Sequence, residues 1–226
     1  MNIVRIVIFA KAPVAGLVKT RLIPALGAQA AADLARLMLL RTLEKALAVN
    51  AGPVELCVSP SQKEAVWQSI PVPATVAWSS QGEGVLGVRM ARATRRITDA
   101  GESILLIGTD CPELSTTHLR CAVTSLQQHD AVLAPTFDGG YALLGLNQFD
   151  ASVFEDIAWG TDTVLSETQL RLAQLKWLTH YLPTMHDIDE PEDLHWLPEL
   201  DASSFLPQKM QDTHNDPRGR LNLDPL

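Results

Sequence analysis

Five short apolar runs, at residues 3–10, 54–58, 75–78, 103–107 and 131–134, alternate along the chain with longer stretches of helical period. Runs of this length read as buried strands, and the stretches between them as helices packed on a sheet. The clearest helix is predicted over 28–49, where Ala32, Leu34, Ala35, Leu37, Met38, Leu39, Leu43, Ala46 and Leu47 form a broad apolar face that Gly52-Pro53 brings to an end. Two more are predicted over 84–100 and 115–128, the second with Ser115 as its N-cap. Strand–helix alternation of this kind predicts an α/β fold with a largely parallel, doubly wound sheet. The pattern changes after Pro135: 139–146 reads as a strand antiparallel to its neighbours and 161–174 as a helix capped by Thr161 or Asp162. A late strand follows at 177–182, then a short closing helix at 191–197 with Pro191 in its first turn. Periodicity is lost from about Asp201. Residues 1–199 are therefore expected to form one domain, with 200–226 a loosely structured tail.

Composition narrows the class. With 46% hydrophobic and 19% charged residues among 226, the chain can bury one sizeable core and is not of disordered type. A net charge of −8 makes the whole molecule a poor nucleic-acid binder. That charge is uneven, because residues 1–50 hold seven Lys/Arg against Asp33 and Glu44. Cys57, Cys111 and Cys121 show no paired spacing, so a zinc site or disulfide framework is not expected, and a reducing, cytoplasmic setting is. No apolar stretch has membrane-spanning length.

Four stretches carry candidate chemistry. The first run leads straight into Lys11-Ala12-Pro13-Val14-Ala15-Gly16-Leu17-Val18-Lys19-Thr20-Arg21. A basic, Gly/Pro-bent loop at the carboxyl end of a first parallel strand is where α/β proteins hold phosphates, although the spacing is neither a P-loop nor a dinucleotide fingerprint. The second, Gly108-Thr109-Asp110-Cys111-Pro112, sends Asp110 from the same sheet edge; it suits a divalent cation or an ordinary turn aspartate equally. The third, Asp138-Gly139-Gly140-Tyr141, is a standard hairpin signal and equally a close backbone approach to a ligand. The fourth, His186-Asp187-Ile188-Asp189-Glu190-Pro191-Glu192-Asp193-Leu194, puts two carboxylates on one side if its start is extended. Glu190, Glu192 and Asp193 are explained as acids at a helix start. Among the histidines only His186, beside the acidic pair, stands out; His118, His129, His180, His195 and His214 read as surface or packing residues. Trp159 either lines a pocket or packs.

Taken in order, Phe9-Ala10-Lys11-x-Pro13-x-x-Gly16-x-Val18-Lys19-Thr20-Arg21-Leu22, Gly108-Thr109-Asp110-Cys111-Pro112, Asp138-Gly139-Gly140-Tyr141 and Asp187-x-Asp189-x-Pro191-Glu192-Asp193-Leu194 resemble the small bacterial GT-A-fold glycosyltransferases, including the arsenosugar-biosynthesis group. The resemblance runs from about residue 4 to about residue 197, and more remotely takes in molybdenum-cofactor nucleotidyltransferases and the phospholactate and phosphoenolpyruvate guanylyltransferases. It implies a three-layer α/β/α sandwich with a mostly parallel sheet. It also implies that Lys11, Lys19 and Arg21 bind phosphates, that Gly16 lets the backbone close over them, and that Asp110, Asp187 and Asp189 hold Mg²⁺ or Mn²⁺. Asp138 falls where acceptor binding or general-base work belongs, and Gln81 and Arg89 are carried over as nucleotide-side contacts. The chain departs from the family at Gln81-Gly82-Glu83-Gly84-Val85-Leu86-Gly87-Val88-Arg89-Met90, where Val85 and Val88 replace the Asp and Glu of a Gln-Gly-x-Gly-Asp-Leu-Gly-Glu-Arg-Met pattern.

The expectation that follows is a metal-dependent transferase that takes a nucleotide-diphosphate sugar and moves the glycosyl group to a small-molecule acceptor. The alternative is a nucleotidyltransferase that joins an NTP to a phosphorylated or carboxylate metabolite and releases pyrophosphate. A third reading, a nucleotide-binding protein without turnover on a degenerate version of the fold, draws on Val85 and Val88. No nucleic acid and no membrane span are expected; an oligomer is compatible with the sequence.

Overall fold

The computed structural model describes residues 3–197; the segment 200–226 expected to be a tail lies outside the described residues. Strand β1 (Val4–Lys11) sends Ile6 and Ile8 into one core and Val7 into another. It lies between parallel neighbours, β2 (Val54–Ser59) and β4 (Ser103–Ile107). Burial on both faces is why these strands are nearly continuous apolar runs instead of alternating ones. Strand β3 (Ala77–Ser80) extends the sheet beyond β2. On the other side β6 (Tyr141–Leu146) runs antiparallel between β4 and β5 (Ala131–Pro135), and β7 (Thr179–Tyr181) pairs parallel with β5. The result is a seven-stranded sheet of order β3-β2-β1-β4-β6-β5-β7, the mostly parallel sheet with one late antiparallel strand that the pattern predicts.

Helices cover both faces. On one, α2 (Ala28–Val49) packs against α4 (Thr116–Ser125), with Leu39, Leu43, Ala46, Leu119 and Ala122 in the core beneath them. On the other, α3 (Leu86–Thr98) and α5 (Val164–Gln174) contribute Met90, Ala93, Ile97 and Leu172. A smaller third core joins Leu22, just before the single turn α1 (Ile23–Leu26), to Leu34 and Met38 of α2 and to Ile188 and Leu194 near the end of the described chain. Helix α2 occupies the span read from the sequence. Its stop uses Asn50 in the left-handed region (φ 54) and Gly52, where a Cβ would lie 2.2 Å from the Val4 carbonyl oxygen. Ser115 caps α4 as expected, but in a capping box with His118, whose Nδ1 accepts the Ser115 N–H.

Several boundaries differ from the sequence reading. β3 starts at Ala77 and not at 75, because Val76 is buried in the core before sheet pairing begins at Ala77. β7 keeps only its three central residues. The N-cap position of α5 is Thr163, with Thr161 bonded back to the Ala158 carbonyl, so neither Thr161 nor Asp162 is the cap. The closing helix is a 3₁₀ segment, Pro191–Trp196. Among the described residues no helix is long and apolar enough to cross a membrane.

One charge lies inside an apolar run. Glu55 of β2 is 2% exposed, and its carboxylate receives Arg96, the Ser79 hydroxyl and, at 3.8 Å, Arg5. Arg5 also makes a two-point pair with Glu102 at 2.7 and 2.9 Å, which raises the guanidinium pKa further. Removing one member of such a cluster strands the others. Glu55→Ala is expected to destabilise the fold by about 3 kcal/mol in chemical denaturation, and a change of under about 0.5 kcal/mol would be that of a surface position.

Candidate functional site

The carboxyl ends of β1, β4 and β5 and the amino end of β6 open on one edge of the sheet, the edge at which open α/β folds bind ligands. A cavity of about 590 Å³ lies there. Its lining has an apolar part, with Phe9 of β1, Leu86 and Met90 of α3, and Trp159. The polar part of the lining is acidic, with Asp110, Asp138, Asp162, Asp187 and Asp189, and includes one cation, Arg21. Five carboxylates from distant parts of the chain thus share one cavity. Trp159 both lines it and packs on the second core.

Each acid is positioned by local structure. Asp110 follows β4 directly, and its carbonyl accepts the Ile188 N–H at 2.8 Å, which ties the late acidic segment to this turn. Ile188 is fully buried in the third core, and Asp187 and Asp189 on either side of it both reach the cavity. The expectation that the two face one way therefore holds. Glu190 and Asp193 form a capping box on the 3₁₀ segment, so their role is structural, as read. Asp138 belongs to the β5–β6 hairpin: its Oδ1 accepts the Thr136 hydroxyl at 2.5 Å and the Gly140 N–H at 2.9 Å. Gly139 has φ 87, and a Cβ there would lie 2.1 Å from the Asp162 carbonyl oxygen. The glycine is required by the turn and by the loop that presses on it.

The cations are arranged otherwise than the loop suggests. Lys19, in the left-handed region at φ 47, is buried, and its Nζ meets Asp110 Oδ1 at 2.7 Å and donates to the Ile188 carbonyl. Asp189 Oδ1 lies 3.8 Å away. Arg21 pairs with Asp189 at 2.7 Å and approaches Glu190 at 3.6 Å. Lys11 and Gly16 are exposed and do not line the cavity. Gln81 is buried, and its amide nitrogen bonds the carbonyls of Ala10 and Cys57, which clamps β1 to β2. Arg89 bonds the Gly84 carbonyl and the Gln81 side-chain oxygen. Neither reaches the cavity. The basic start of the chain is not one patch either: Arg5 pairs with Glu102, Arg41 with Glu44, and Lys45 bonds the Pro112 carbonyl.

The three acids expected to hold Mg²⁺ or Mn²⁺ do not form a ready-made metal site. Lys19 already sits against Asp110 and near Asp189, and among the described residues no group of three or more His, Cys, Asp and Glu side chains is placed to hold a metal ion. His186 does not line the cavity. It stacks between Phe137 and Trp196 at ring separations of 4.3 and 3.7 Å, with Glu113 Oε1 at 3.3 Å. The sequence reading missed Thr136, which orients Asp138, and the apolar wall from α3. Thr136 stands two residues before Asp138, the only local signal available.

The model of a family described as "Uncharacterized protein conserved in bacteria (DUF2064)" matches residues 42–161, more than half of the chain. The chain belongs to this family. The matched region includes Asp110 and Asp138 but stops short of Asp187. Among solved structures, a "putative nucleotide-diphospho-sugar transferase" from Desulfovibrio desulfuricans G20 is 30% identical, with a TM-score of 0.81 over 88% of this chain and 87% of that one. A 4-diphosphocytidyl-2C-methyl-D-erythritol synthase from Anaerococcus prevotii DSM 20548 is 12% identical, with a TM-score of 0.56 over 86% and 96% of the two chains. A cytidylyltransferase from Leptospira borgpetersenii is 16% identical, with a TM-score of 0.54 over 92% and 89%. The last two share the fold. No functionally curated protein matches the chain. The GT-A-like α/β/α architecture is thereby established.

Two site features generate predictions. Val85 is the N-cap of α3 and makes no capping bond, and Val88 is at the third helical position. These are the two positions of a capping box, so the departure from the family pattern removes a helix cap. Val85→Asp with Val88→Glu is expected to add about 1 kcal/mol and raise Tm by roughly 2–4 °C; an unchanged Tm would deny the capping role. Asp187 has its pKa raised from 3.8 to about 6, first by burial and then by the charge of Asp138. The folded chain therefore holds a proton that the unfolded chain has already lost, and stability falls as pH rises through about 4 to 6. Asp187→Asn should raise the unfolding free energy at pH 8 and not at pH 4, by about 1 kcal/mol once solvent screening of this half-buried group is allowed for. Equal shifts at both pH values would contradict it.

Proposed function

We propose that the chain is a nucleotide-using transferase, and that its donor is a nucleotide-diphosphate sugar from which a glycosyl group passes to a small-molecule acceptor. The observation that carries this reading is the cavity at the carboxyl edge, whose lining combines apolar side chains with acids and Arg21. A base or sugar ring fits the wall of Phe9, Leu86, Met90 and Trp159, and a diphosphate the side of Arg21. The 30% identical relative, named for nucleotide-diphospho-sugar transfer, supports the same class.

The chemistry follows from the side chains. Arg21, 62% exposed at the cavity rim, is free to exchange Asp189 for a phosphate oxygen, where a guanidinium offers two parallel donors. Charge that develops on the departing diphosphate is stabilised there. Asp138 Oδ1 is spent on Thr136 and Gly140, which leaves Oδ2 to take the proton of an acceptor hydroxyl. Asp187 beside it keeps the local field negative and favours an acceptor that arrives as a neutral or cationic group.

The test is a thermal-shift panel of nucleoside diphosphates, their sugars and NTPs, with and without Mn²⁺, followed by product analysis. A ligand that binds the native state raises Tm by mass action. Stabilisation by one nucleoside diphosphate and its sugar, with release of that diphosphate on turnover, is the expected result. Pyrophosphate release from an NTP would replace glycosyl by nucleotidyl transfer. Asp138→Asn should keep the nucleotide shift and lower kcat by about 10²-fold or more; retained turnover would remove Asp138 from the chemistry.

A further inference from the structure

The acidic part of the lining carries more negative charge than the cavity's one lining arginine can balance, and part of the remainder is met by a buried lysine. Lys19 comes from the loop after β1 with its side chain 4% exposed. Its ammonium holds Asp110 Oδ1 at 2.7 Å, donates to the Ile188 carbonyl, and has Asp189 Oδ1 at 3.8 Å. A buried ammonium requires oxygen acceptors on several sides, and here these are two carboxylates and a carbonyl from segments far apart in sequence. Oxygen donors of this kind are also those of a hard divalent cation. The backbone is committed to the arrangement, since Lys19 occupies the left-handed region that residues with a Cβ normally avoid.

We infer that Lys19 is the resident counter-ion of Asp110 and Asp189 and stands where a divalent cation would otherwise bind. Lysine and metal then exclude one another: Asp110 offers Oδ1 to one or to the other. The wild-type chain is a poor binder of free Mg²⁺ or Mn²⁺ at these acids, and the cation that organises the site in the absence of ligand is part of the chain. The Lys19 contacts belong to the protein before nucleotide arrives and do not depend on the choice of substrate.

The experiment is Mn²⁺ titration of the full chain without nucleotide, with free ion read by electron paramagnetic resonance. Lys19→Met removes the competing charge and keeps the side-chain length. It is expected to bind Mn²⁺ at least about tenfold more tightly than wild type, because a full charge is removed from within ion-pair distance. Asp110→Asn in the Lys19→Met background should cancel the gain, which places the ion at that carboxylate. Equal affinity in wild type and Lys19→Met, or a gain that survives Asp110→Asn, would overturn the inference. A second measurement uses the wild-type chain and does not depend on how the variant folds. Acetylation of Lys19, followed by mass spectrometry, should be slow and insensitive to millimolar Mn²⁺; acceleration by micromolar Mn²⁺ would show that metal displaces the lysine readily and would also overturn it.

Discussion

A lysine ammonium held away from water needs acceptors around it, and the way Lys19 finds them organises the whole carboxyl edge. Its partners are the carboxylate after β4 and the carbonyl of Ile188. The loop after β1, the turn at Asp110 and the segment 187–189 must therefore meet at one point or leave a charge stranded. The third hydrophobic core works in the same direction, because Ile188 packs with Leu22, Leu34 and Met38. Apolar burial draws the late segment onto α2, and the ion pair then sets its register against β4. Asp187 and Asp189 reach the cavity because Ile188 between them is fixed inward.

The cavity inherits its two-sided character from the two layers that border it. Helix α3 and the end of β1 supply apolar side chains from the second core, while the loops supply acids and Arg21. The acids are not equivalent. Asp110 and Asp189 are neutralised by Lys19 and Arg21, whereas Asp138 and Asp187 face each other, and their mutual repulsion adds to burial in raising the Asp187 pKa. Charge that is unbalanced in a cavity is available to a ligand; charge already balanced serves first to hold the edge together. A capless α3 beside this site fits the same division. Val85 and Val88 give up a local stabilising device at the rim without removing any side chain of the acidic wall.

Much of the candidate site could be read from the chain, though unevenly. Asp110 stands out after an apolar strand, Asp138 in its Asp-Gly-Gly-Tyr turn and Asp187 and Asp189 as a pair spaced to face one way, and all four line one cavity. The cations were read less well. A loop rich in Lys and Arg looks alike whether its charges face a ligand or the protein's own acids, and only Arg21 lines the cavity. Gln81 was likewise ambiguous. An amide serves equally as ligand contact or backbone clamp, and here it bridges β1 and β2. Glu55 shows the opposite failure. Inside an apolar run it gave no sign that Arg5, Arg96 and Ser79 would come from three other elements to surround it.

The sequence by itself determined the order of elements, the parallel class of the sheet and the one antiparallel strand near its end. These are written locally, since burial on two faces demands continuous apolar runs and each helix demands its period and its stop. Even there, edges were less certain than centres: β3 and β7 border the sheet, where one neighbour fixes pairing instead of two. The tertiary structure alone decided which charge meets which. Ion pairs join residues that no local pattern connects, and their geometry depends on where whole strands end relative to one another. Lys19 reads as a phosphate ligand in the chain and becomes the counter-ion of Asp110 and Asp189 in the fold, because a buried cation must take the nearest anions the packing provides.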